Sequence, residues 1–199
     1  MKQKHKSCSF LDPTYPVIDR TTFIDGAEWK EFYGDTTKEI PPNALDTRGK
    51  EFDIQMMVGS YHAWDKATRC SRTGFLIYVN MTLINWLSKK QLTIESSLFG
   101  AEFLAMKNGM EVLRGIRYKL RMMGVTLTGP SYIYSDNIYS IKNTQRLDST
   151  LKKKNNYICY NTMWESVAIC ESLNSKIPTN FNLDYMLLNT LFGKNKRVR

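Results

Sequence analysis

The chain has 199 residues and a mass of 23.1 kDa, which is enough for one globular domain with an additional segment and too little for several domains. With 42% hydrophobic, 12% aromatic and 24% charged residues, the composition excludes a wholly disordered, collagen-like or coiled-coil chain. Lys and Arg number 28 against 19 Asp and Glu, and the resulting charge of +9 favours a polyanionic partner without identifying it.

The apolar pattern argues against a membrane or secreted protein. The longest apolar-rich stretch, residues 74–87, is interrupted by polar residues and falls short of the roughly 20 residues that span a bilayer. The basic N-terminus continues into Asp12 and Pro13 rather than into an apolar run, so it lacks the pattern of a secretory signal. The four cysteines contain no Cys-x-x-Cys pair. We therefore expect an intracellular protein, cytoplasmic or nuclear, with reduced thiols and no membrane partner.

The first 52 residues contain four of the six prolines and show no sustained helical or alternating period, which predicts an extended arm. Glu51–Ser60 then alternates, with Ile54, Met56 and Val58 on one face, as in a strand with a single core side. Two further β-favouring runs follow at residues 75–80 and 83–88, joined by a short connection that suits a hairpin. The simplest interpretation is three consecutive antiparallel strands.

A long helix is predicted next. Ser96 and Ser97 supply N-cap chemistry, and apolar residues recur at helical spacing from Leu98 until Gly124 ends the helix. Its second half is basic, with one side carrying Arg114, Arg117 and Arg121. We interpret this side as a solvated face that complements the helix dipole, with phosphate contact as the alternative.

The remaining chain predicts one more strand and two helices. These are the strand Ser131–Ser135, an amphipathic helix over Asn156–Leu173 and a last helix over Asn182–Leu191. The order β-β-β-α-β-α indicates a mixed α/β domain. We assign residues 1–52 to the arm, 53–193 to this domain and 194–199 to a basic tail.

Two acidic residues lie where a carboxylate is unusual. On a helical wheel, Glu102 lies about 40° from Leu98, within the stripe that should face the sheet, so its charge needs a partner. Asp136 follows the strand Ser131–Ser135 at its carboxyl end, where open α/β sheets place ligands. Both could ligate one metal ion. Equally, Glu102 could pair with an arginine or a backbone group, and Asp136 could be the N-cap of the next helix.

Three motifs occur at residues 65–75 (DKATRCSRTGF), 95–105 (ESSLFGAEFLA) and 133–137 (IYSDN). They resemble the ribonuclease H domain of copia-type retrotransposon polyproteins, and the resemblance runs from about Leu11 through Gly193. It implies a ribonuclease H-like α/β fold, a mixed five-stranded sheet with flanking helices, preceded by an extended N-terminal arm. In the family this domain follows the reverse transcriptase. We therefore expect residues 1–52 to correspond to the connection, and the ancestral reverse transcriptase domain to be absent from this chain.

The resemblance also implies a chemistry. In the family, four carboxylates hold two Mg²⁺ ions that promote phosphodiester hydrolysis. The second and third carboxylates match Glu102 and Asp136, the retained catalytic and metal-binding positions. The first falls on Gly59 and the fourth on Tyr185, and neither residue supplies a carboxylate. We therefore expect Mg²⁺ binding that is weak or lost, in a catalytically degenerate domain.

Nucleic-acid binding is expected to persist, because phosphate contacts do not depend on the carboxylates. The residues expected to make these contacts are Lys152, Lys153, Lys154, Arg72 and Asn137. Their partner would be an RNA/DNA hybrid or another nucleic acid, and a merely solvated basic surface is the alternative. Trp64 stands where the family has a small residue, and we expect its ring to obstruct the cleft.

Two other interpretations of the chain remain open. It could be an active Mg²⁺-dependent endonuclease that cuts the RNA strand of RNA/DNA hybrids, if Asp184 or Asp65 replaced a lost ligand. Asp53 cannot do so, because it lies six residues, or roughly 20 Å, from Gly59 along one strand. Alternatively, the chain could be an element fragment without selected activity, which predicts poor solubility or little expression.

Overall fold

The computed structural model describes residues 42–127, 129–145, 157–169 and 171–176. These residues form seven strands and three helices. In chain order they are β1 (Arg48–Phe52), β2 (Ile54–Tyr61), β3 (Arg72–Val79), β4 (Thr82–Lys90), α1 (Leu98–Met122), β5 (Val125–Leu127), β6 (Ser131–Ser135), α2 (Ile138–Gln145), α3 (Tyr157–Ala168) and β7 (Ser172–Lys176). Within these residues, no helix combines the length and the apolar character needed to cross a membrane.

Five strands form one mixed sheet in the order β4-β3-β2-β6-β7. The β2–β3 and β3–β4 pairs are antiparallel, as predicted from the three consecutive β-favouring runs. β6 runs parallel to β2, and β7 runs parallel to β6. Parallel neighbours need crossover connections, and here α1 lies between β4 and β6 in the chain while α2 and α3 lie between β6 and β7. The mixed five-stranded sheet implied by the sequence motifs is confirmed.

β2 lies at the centre of this sheet, between β3 and β6. The sequence predicted a strand with one core side, but seven of its eight residues are buried, including Gln55 and Met57 on the face opposite Met56 and Val58. The prediction was wrong on this point because a central strand of a sheet can be covered on both faces. Alternation identified the strand but not its depth in the fold.

The main core forms where α1 packs on the face of β2 that carries Ile54, Met56 and Val58. The Ser97 side chain accepts a hydrogen bond from the Gly100 N–H and caps the helix, as the sequence predicted. Leu98, which was predicted to lie in the buried stripe, is 54% exposed. The buried residues of the helix instead start at Gly100.

The side of α1 that carries Arg114 and Arg117 is not a solvated face. Arg117 is only 4% exposed and donates hydrogen bonds to Ser131 Oγ at 2.7 Å and to the Gly129 carbonyl at 3.0 Å. Burial, followed by the charge of Arg121, lowers the pKa of Arg117. Spacing alone placed these arginines on one side of a helix, and tertiary packing brought that side against the start of β6.

Arg114 holds a second contact on the same side of α1. Its Nε lies 2.6 Å from Glu171 Oε2 and its Nη2 lies 2.7 Å from Ser166 Oγ. Glu171 directly precedes β7, and Ser166 belongs to α3. Arg114 therefore connects α1 to α3 and to the start of β7. The prediction that this arginine is solvated was also wrong.

The predicted helix over residues 156–173 is shorter in the structure. α3 ends at Ala168, and β7 begins at Ser172 and pairs with β6 in register from Ser131↔Ser172 to Ser135↔Lys176. β7 has the sequence SLNSK and little apolar content, so its own pattern does not predict a strand. The predicted helix Asn182–Leu191, the basic tail and most of the arm lie outside the described residues.

β1 lies at the end of the segment assigned to the arm and forms a two-stranded parallel sheet with β5. The Arg48 N–H donates to the Gly124 carbonyl at 2.9 Å. Gly124 has φ of +72°, and a Cβ added there would lie 2.8 Å from the Asp46 carbonyl oxygen. Both the backbone conformation and the close approach of the incoming chain therefore require glycine at this position.

We expect Gly124→Ala to lower the free energy of unfolding by about 1–3 kcal/mol, because it combines a strained φ with a backbone clash. Urea denaturation would measure the change. Gly115→Ala is the matched control, since Gly115 lies within α1 and an added Cβ there meets nothing within 4 Å. It should stabilise the protein by roughly 0.5–1 kcal/mol. Equal effects of the two variants would contradict the close approach at Gly124.

Candidate functional site

The carboxyl ends of β2 and β6 lie side by side at one edge of the sheet. Val58 of β2 pairs with Ser135 of β6 in parallel register, so the next residues, Gly59 and Asp136, are neighbours across the two strands. Such an edge, between parallel strands in a mixed sheet, is where open α/β folds place ligands. The register therefore brings two of the four positions implied by the sequence motifs together.

Glu102 of α1 reaches the same edge from the core side. It is 1% exposed, and its Oε1 accepts hydrogen bonds from the Ser60 N–H at 3.1 Å and the Ser60 hydroxyl at 2.9 Å. A buried carboxylate needs such donors to offset the loss of water. Of the two partners considered from the sequence, an arginine or a backbone group, the structure shows a backbone group, the Ser60 N–H, together with the Ser60 hydroxyl.

Asp136 is exposed, in contrast to Glu102. It is not the N-cap of the following helix, because Asn137 fills that role: Asn137 Oδ1 accepts from the N–H groups of Tyr139 at 3.0 Å and Ser140 at 3.2 Å. Among the described residues, the Asp136 carboxylate takes part in no ion pair. It therefore remains available to a cation or to the solvent.

The donor set described at this edge does not fit a two-ion Mg²⁺ centre. Glu102 and Asp136 supply two carboxylates, and Gly59 supplies no side chain. Within the described part of the chain, no group of three or more His, Cys, Asp and Glu side chains is arranged to hold a metal ion. Tyr185 and the neighbouring Asp184 lie outside the described residues.

Asp65, the acid considered as a replacement, is engaged elsewhere. Its Oδ2 accepts from Lys90 Nζ at 2.9 Å and from the Thr68 hydroxyl at 2.7 Å, and its Oδ1 accepts from the Ala67 N–H. These hydrogen bonds, above all the one from Lys90, hold the pKa of Asp65 well below its usual range. Asp65 thus stabilises its own turn and binds Lys90 at the end of β4, and its carboxylate is not directed to Glu102 and Asp136 by any of these hydrogen bonds.

Asp53 lies at the other end of the sheet. Its N–H donates to the Asn80 side chain, and its carbonyl accepts from the Asn80 N–H at 2.7 Å, at the β3–β4 turn. Since β2 runs away from this turn toward Gly59, the distance argued from the sequence holds.

Trp64 lies in the turn that follows β2, and its indole ring packs against Arg72. The Arg72 guanidinium carbon is 4.4 Å from the ring centroid, and Arg72 Nη1 donates to Ser88 Oγ at 3.3 Å. Arg72 pairs across strands with Tyr61, two residues beyond Gly59. The ring is therefore at the site edge of the sheet, and obstruction of the cleft by Trp64 stays a prediction.

The predicted nucleic-acid contacts divide into two groups. Arg72 and Asn137 lie at this same edge, the first stacked on Trp64 and the second capping α2. The run Lys152, Lys153 and Lys154 lies outside the described residues.

Sequence reasoning missed three residues of this edge. Ser60 could have been found, because the alternation that placed Ile54, Met56 and Val58 on one face continues to it. Gln91 is 3% exposed and donates to the Ala101 carbonyl and to Thr73 Oγ1, a link between α1 and β3 that has no sequence signal. Lys176, exposed at the end of β7, is paired in register with Ser135 and adds a cation beside Asp136.

The fold is that of ribonuclease H. The N-terminal ribonuclease H domain of a Mycobacterium tuberculosis protein superposes on 66% of this chain and 91% of its own, with a TM-score of 0.50 and 8% identity. LC11-RNase H1, solved in complex with an RNA/DNA hybrid, covers 65% of this chain and 88% of its own, with a TM-score of 0.51 and 13% identity. No family model matches the chain.

Two curated relatives connect the chain to retrotransposons. The retrovirus-related Pol polyproteins from transposons RE1 and RE2 of Arabidopsis thaliana are 34% and 33% identical to it over 91 residues, which is 46% of the chain. The chain matches about 6% of the length of either polyprotein. The resemblance noted from the sequence motifs is confirmed at this level: the chain has a ribonuclease H fold and is similar over 46% of its length to retrotransposon Pol polyproteins.

We expect Ser60→Ala to lower the free energy of unfolding by about 1–3 kcal/mol, because it removes a buried hydroxyl donor from the Glu102 carboxylate. Urea denaturation followed by circular dichroism would measure the loss. Ser88→Ala is the comparison variant, since Ser88 is half-buried and accepts only the longer hydrogen bond from Arg72. A smaller loss for Ser60→Ala than for Ser88→Ala would contradict the role assigned to Ser60.

Proposed function

We propose that this chain is a catalytically degenerate, copia-type ribonuclease H-like domain that binds RNA/DNA hybrid or other duplex without cutting it. The observation that carries the proposal is the position of Gly59. Gly59 directly follows Val58, whose register partner Ser135 directly precedes Asp136, and it is followed by Ser60, which holds Glu102. The sequence motifs place the first carboxylate of the family at this position, and glycine supplies none.

Two-ion catalysis depends on metal ions held within fractions of an ångström of their working positions. In the proposed site, only Glu102 and Asp136 remain to hold Mg²⁺, and Glu102 Oε1 already accepts two hydrogen bonds from Ser60. The motif alignment places the fourth position on Tyr185, a neutral phenol. We therefore propose that Mg²⁺ binds weakly and that the rate of hydrolysis is largely lost.

Retained binding rests on the cations at the site edge, which do not need the carboxylates. The described residues contribute exposed or half-buried basic side chains at the ends of β3, β4 and β7 and in the turn after β2: Lys66, Arg69, Arg72, Lys89, Lys90 and Lys176. These cations lie at the same edge of the sheet as Asp136, and we propose that the Lys152–Lys154 run adds to their positive charge. The hybrid bound to LC11-RNase H1 supports a nucleic acid as the partner of this fold.

Cleavage of an RNA/DNA hybrid tests the degeneracy. With Mg²⁺ present, the natural chain should leave the labelled RNA strand intact, and the double variant Gly59→Asp with Tyr185→Asp should cut it, because both missing carboxylates are restored. A gel assay of the labelled RNA measures both.

Adding Glu102→Gln to the double variant is the control, and it should abolish the recovered cutting. Cutting by the natural chain at the rate of the double variant would contradict the proposal and favour an active Mg²⁺-dependent endonuclease.

Salt dependence tests the binding. We expect the affinity for a hybrid duplex to fall roughly 100-fold between about 50 and 200 mM salt if about four phosphates are contacted. Neutralising Lys152, Lys153 and Lys154 to Gln should lower the slope of log affinity against log salt by up to about three units. Fluorescence anisotropy of a labelled hybrid measures the slope.

A triple variant with the same change in net charge serves as the control: Arg48→Gln, Lys50→Gln and Lys119→Gln. These exposed side chains lie on β1 and near the carboxyl end of α1, far from Glu102 in the first turns of that helix. An equal loss of slope in both triple variants would show that net charge, rather than the lysine run, determines binding.

A further inference from the structure

A cluster of exposed aromatic and cationic side chains follows β2 at the site edge. Tyr61 is 40% exposed, Trp64 is 38% exposed, and Arg72 lies against the Trp64 ring with its guanidinium carbon 4.4 Å from the ring centroid. Tyr61 and Arg72 are direct cross-strand partners, so their side chains leave the sheet on the same face. We refer to Tyr61, Trp64 and Arg72 as the stacking cluster.

The turn that carries Trp64 is held rigidly. The Ala63 N–H donates to Ser71 Oγ at 3.1 Å, and Ala63 has φ of +48°, a left-handed conformation that alanine rarely adopts. At the next residue after Trp64, the Asp65 N–H donates to the Cys70 carbonyl, and the Asp65 carboxylate binds Lys90. Trp64 is therefore presented in a fixed position, which reduces the entropy lost when a ligand packs on it.

The charge around the stacking cluster favours a polyanion. Five cations lie in the turn after β2 or at the adjoining strand ends: Lys66, Arg69, Arg72, Lys89 and Lys90. Asp65 is the acid among these segments, and it is already paired with Lys90. Exposed aromatic rings beside cations are the arrangement by which proteins bind unpaired nucleotides, since every base offers a face for stacking and every linkage a phosphate.

We propose that the stacking cluster binds single-stranded nucleic acid, with an unpaired base packed on the Trp64 ring and the adjoining phosphates contacted by the surrounding cations. Bases within a duplex are already stacked on one another, so the cluster favours single strands and the unpaired ends of duplexes. This inference deepens the proposed function, because it rests on nucleic acid being the partner of the same edge of the sheet.

Fluorescence anisotropy with the full chain tests the cluster. The probes are a labelled oligothymidylate of about 12 nucleotides and a strand of the same length and charge made of abasic residues. The natural chain should bind the base-bearing strand roughly tenfold more tightly than the abasic strand. Trp64→Ala should remove most of this preference while leaving the affinity for the abasic strand unchanged, because its phosphate contacts remain.

Two further variants distinguish the contribution of ring stacking from that of charge. Trp64→Phe should keep part of the preference, since it retains an aromatic ring in the same turn. Arg72→Lys keeps the charge but loses the planar guanidinium beside the ring, and it should weaken the preference for bases more than it weakens binding to the abasic strand.

Trp86→Ala is the matched control, because Trp86 is 60% exposed on the edge strand β4 of the same sheet. It should leave the preference for bases unchanged. Three results would overturn the inference. The first is an equal effect of Trp64→Ala and Trp86→Ala on the preference for bases, and the second is equal affinity of the natural chain for the base-bearing and abasic strands. The third is that Trp64→Ala weakens binding to these two strands equally.

The results that would overturn the proposed function differ from those that would overturn the role of the stacking cluster. Cutting of a hybrid by the natural chain would contradict degeneracy without bearing on the stacking cluster. Hybrid binding that persists while the base preference is absent would overturn the stacking cluster alone. Failure to bind hybrid and both single strands would overturn the two proposals together.

Discussion

Two hydrogen bonds from Ser60 to Glu102 connect the central strand of the sheet to the longest helix. Because Glu102 is buried, its carboxylate is tolerated only with donors of this kind, and the Ser60 backbone and hydroxyl supply them. The contact fixes the amino-terminal turns of α1 at the carboxyl end of β2. From there the helix runs across the sheet and contributes Phe103, Met106 and Met110 to the core. A side chain of the candidate site is therefore also part of the fold.

This double role explains how the scaffold can persist in a domain proposed to have lost catalysis. Glu102 is buried and accepts two hydrogen bonds from Ser60, whereas Gly59 lies within β2 opposite Gly74 of β3, where a residue without a side chain is compatible with the sheet. Asp136 is exposed and forms no ion pair among the described residues. At Glu102, the carboxylate that catalysis would need also stabilises the fold. At Gly59, the fold does not need the carboxylate that catalysis would need. The proposed binding of phosphates and bases depends on neither carboxylate.

Much of the fold was predictable from local pattern, and the failures have a common cause. The three antiparallel strands and α1, with its Ser97 cap, follow from alternation, helical spacing and capping chemistry, all of which act within a few residues. β7 was missed because SLNSK has little apolar content of its own and is ordered by pairing with β6. The arginines of α1 were assigned to solvent because spacing shows which residues share a side and not what packs against it. Contacts such as Arg114 with Glu171 join residues far apart in the sequence.

The sequence by itself determined the class of the domain and two residues of the candidate site. Glu102 is identifiable from the sequence as a carboxylate within an apolar stripe, and Asp136 as an acid at the end of a strand. Only the tertiary structure decided that Gly59 and Asp136 are neighbours, that Ser60 holds Glu102, that Asp65 is occupied by Lys90 and that Arg72 stacks on Trp64. The physical reason is that periodicity and capping are local properties of a chain, whereas strand register and ion pairing depend on segments that meet only after folding.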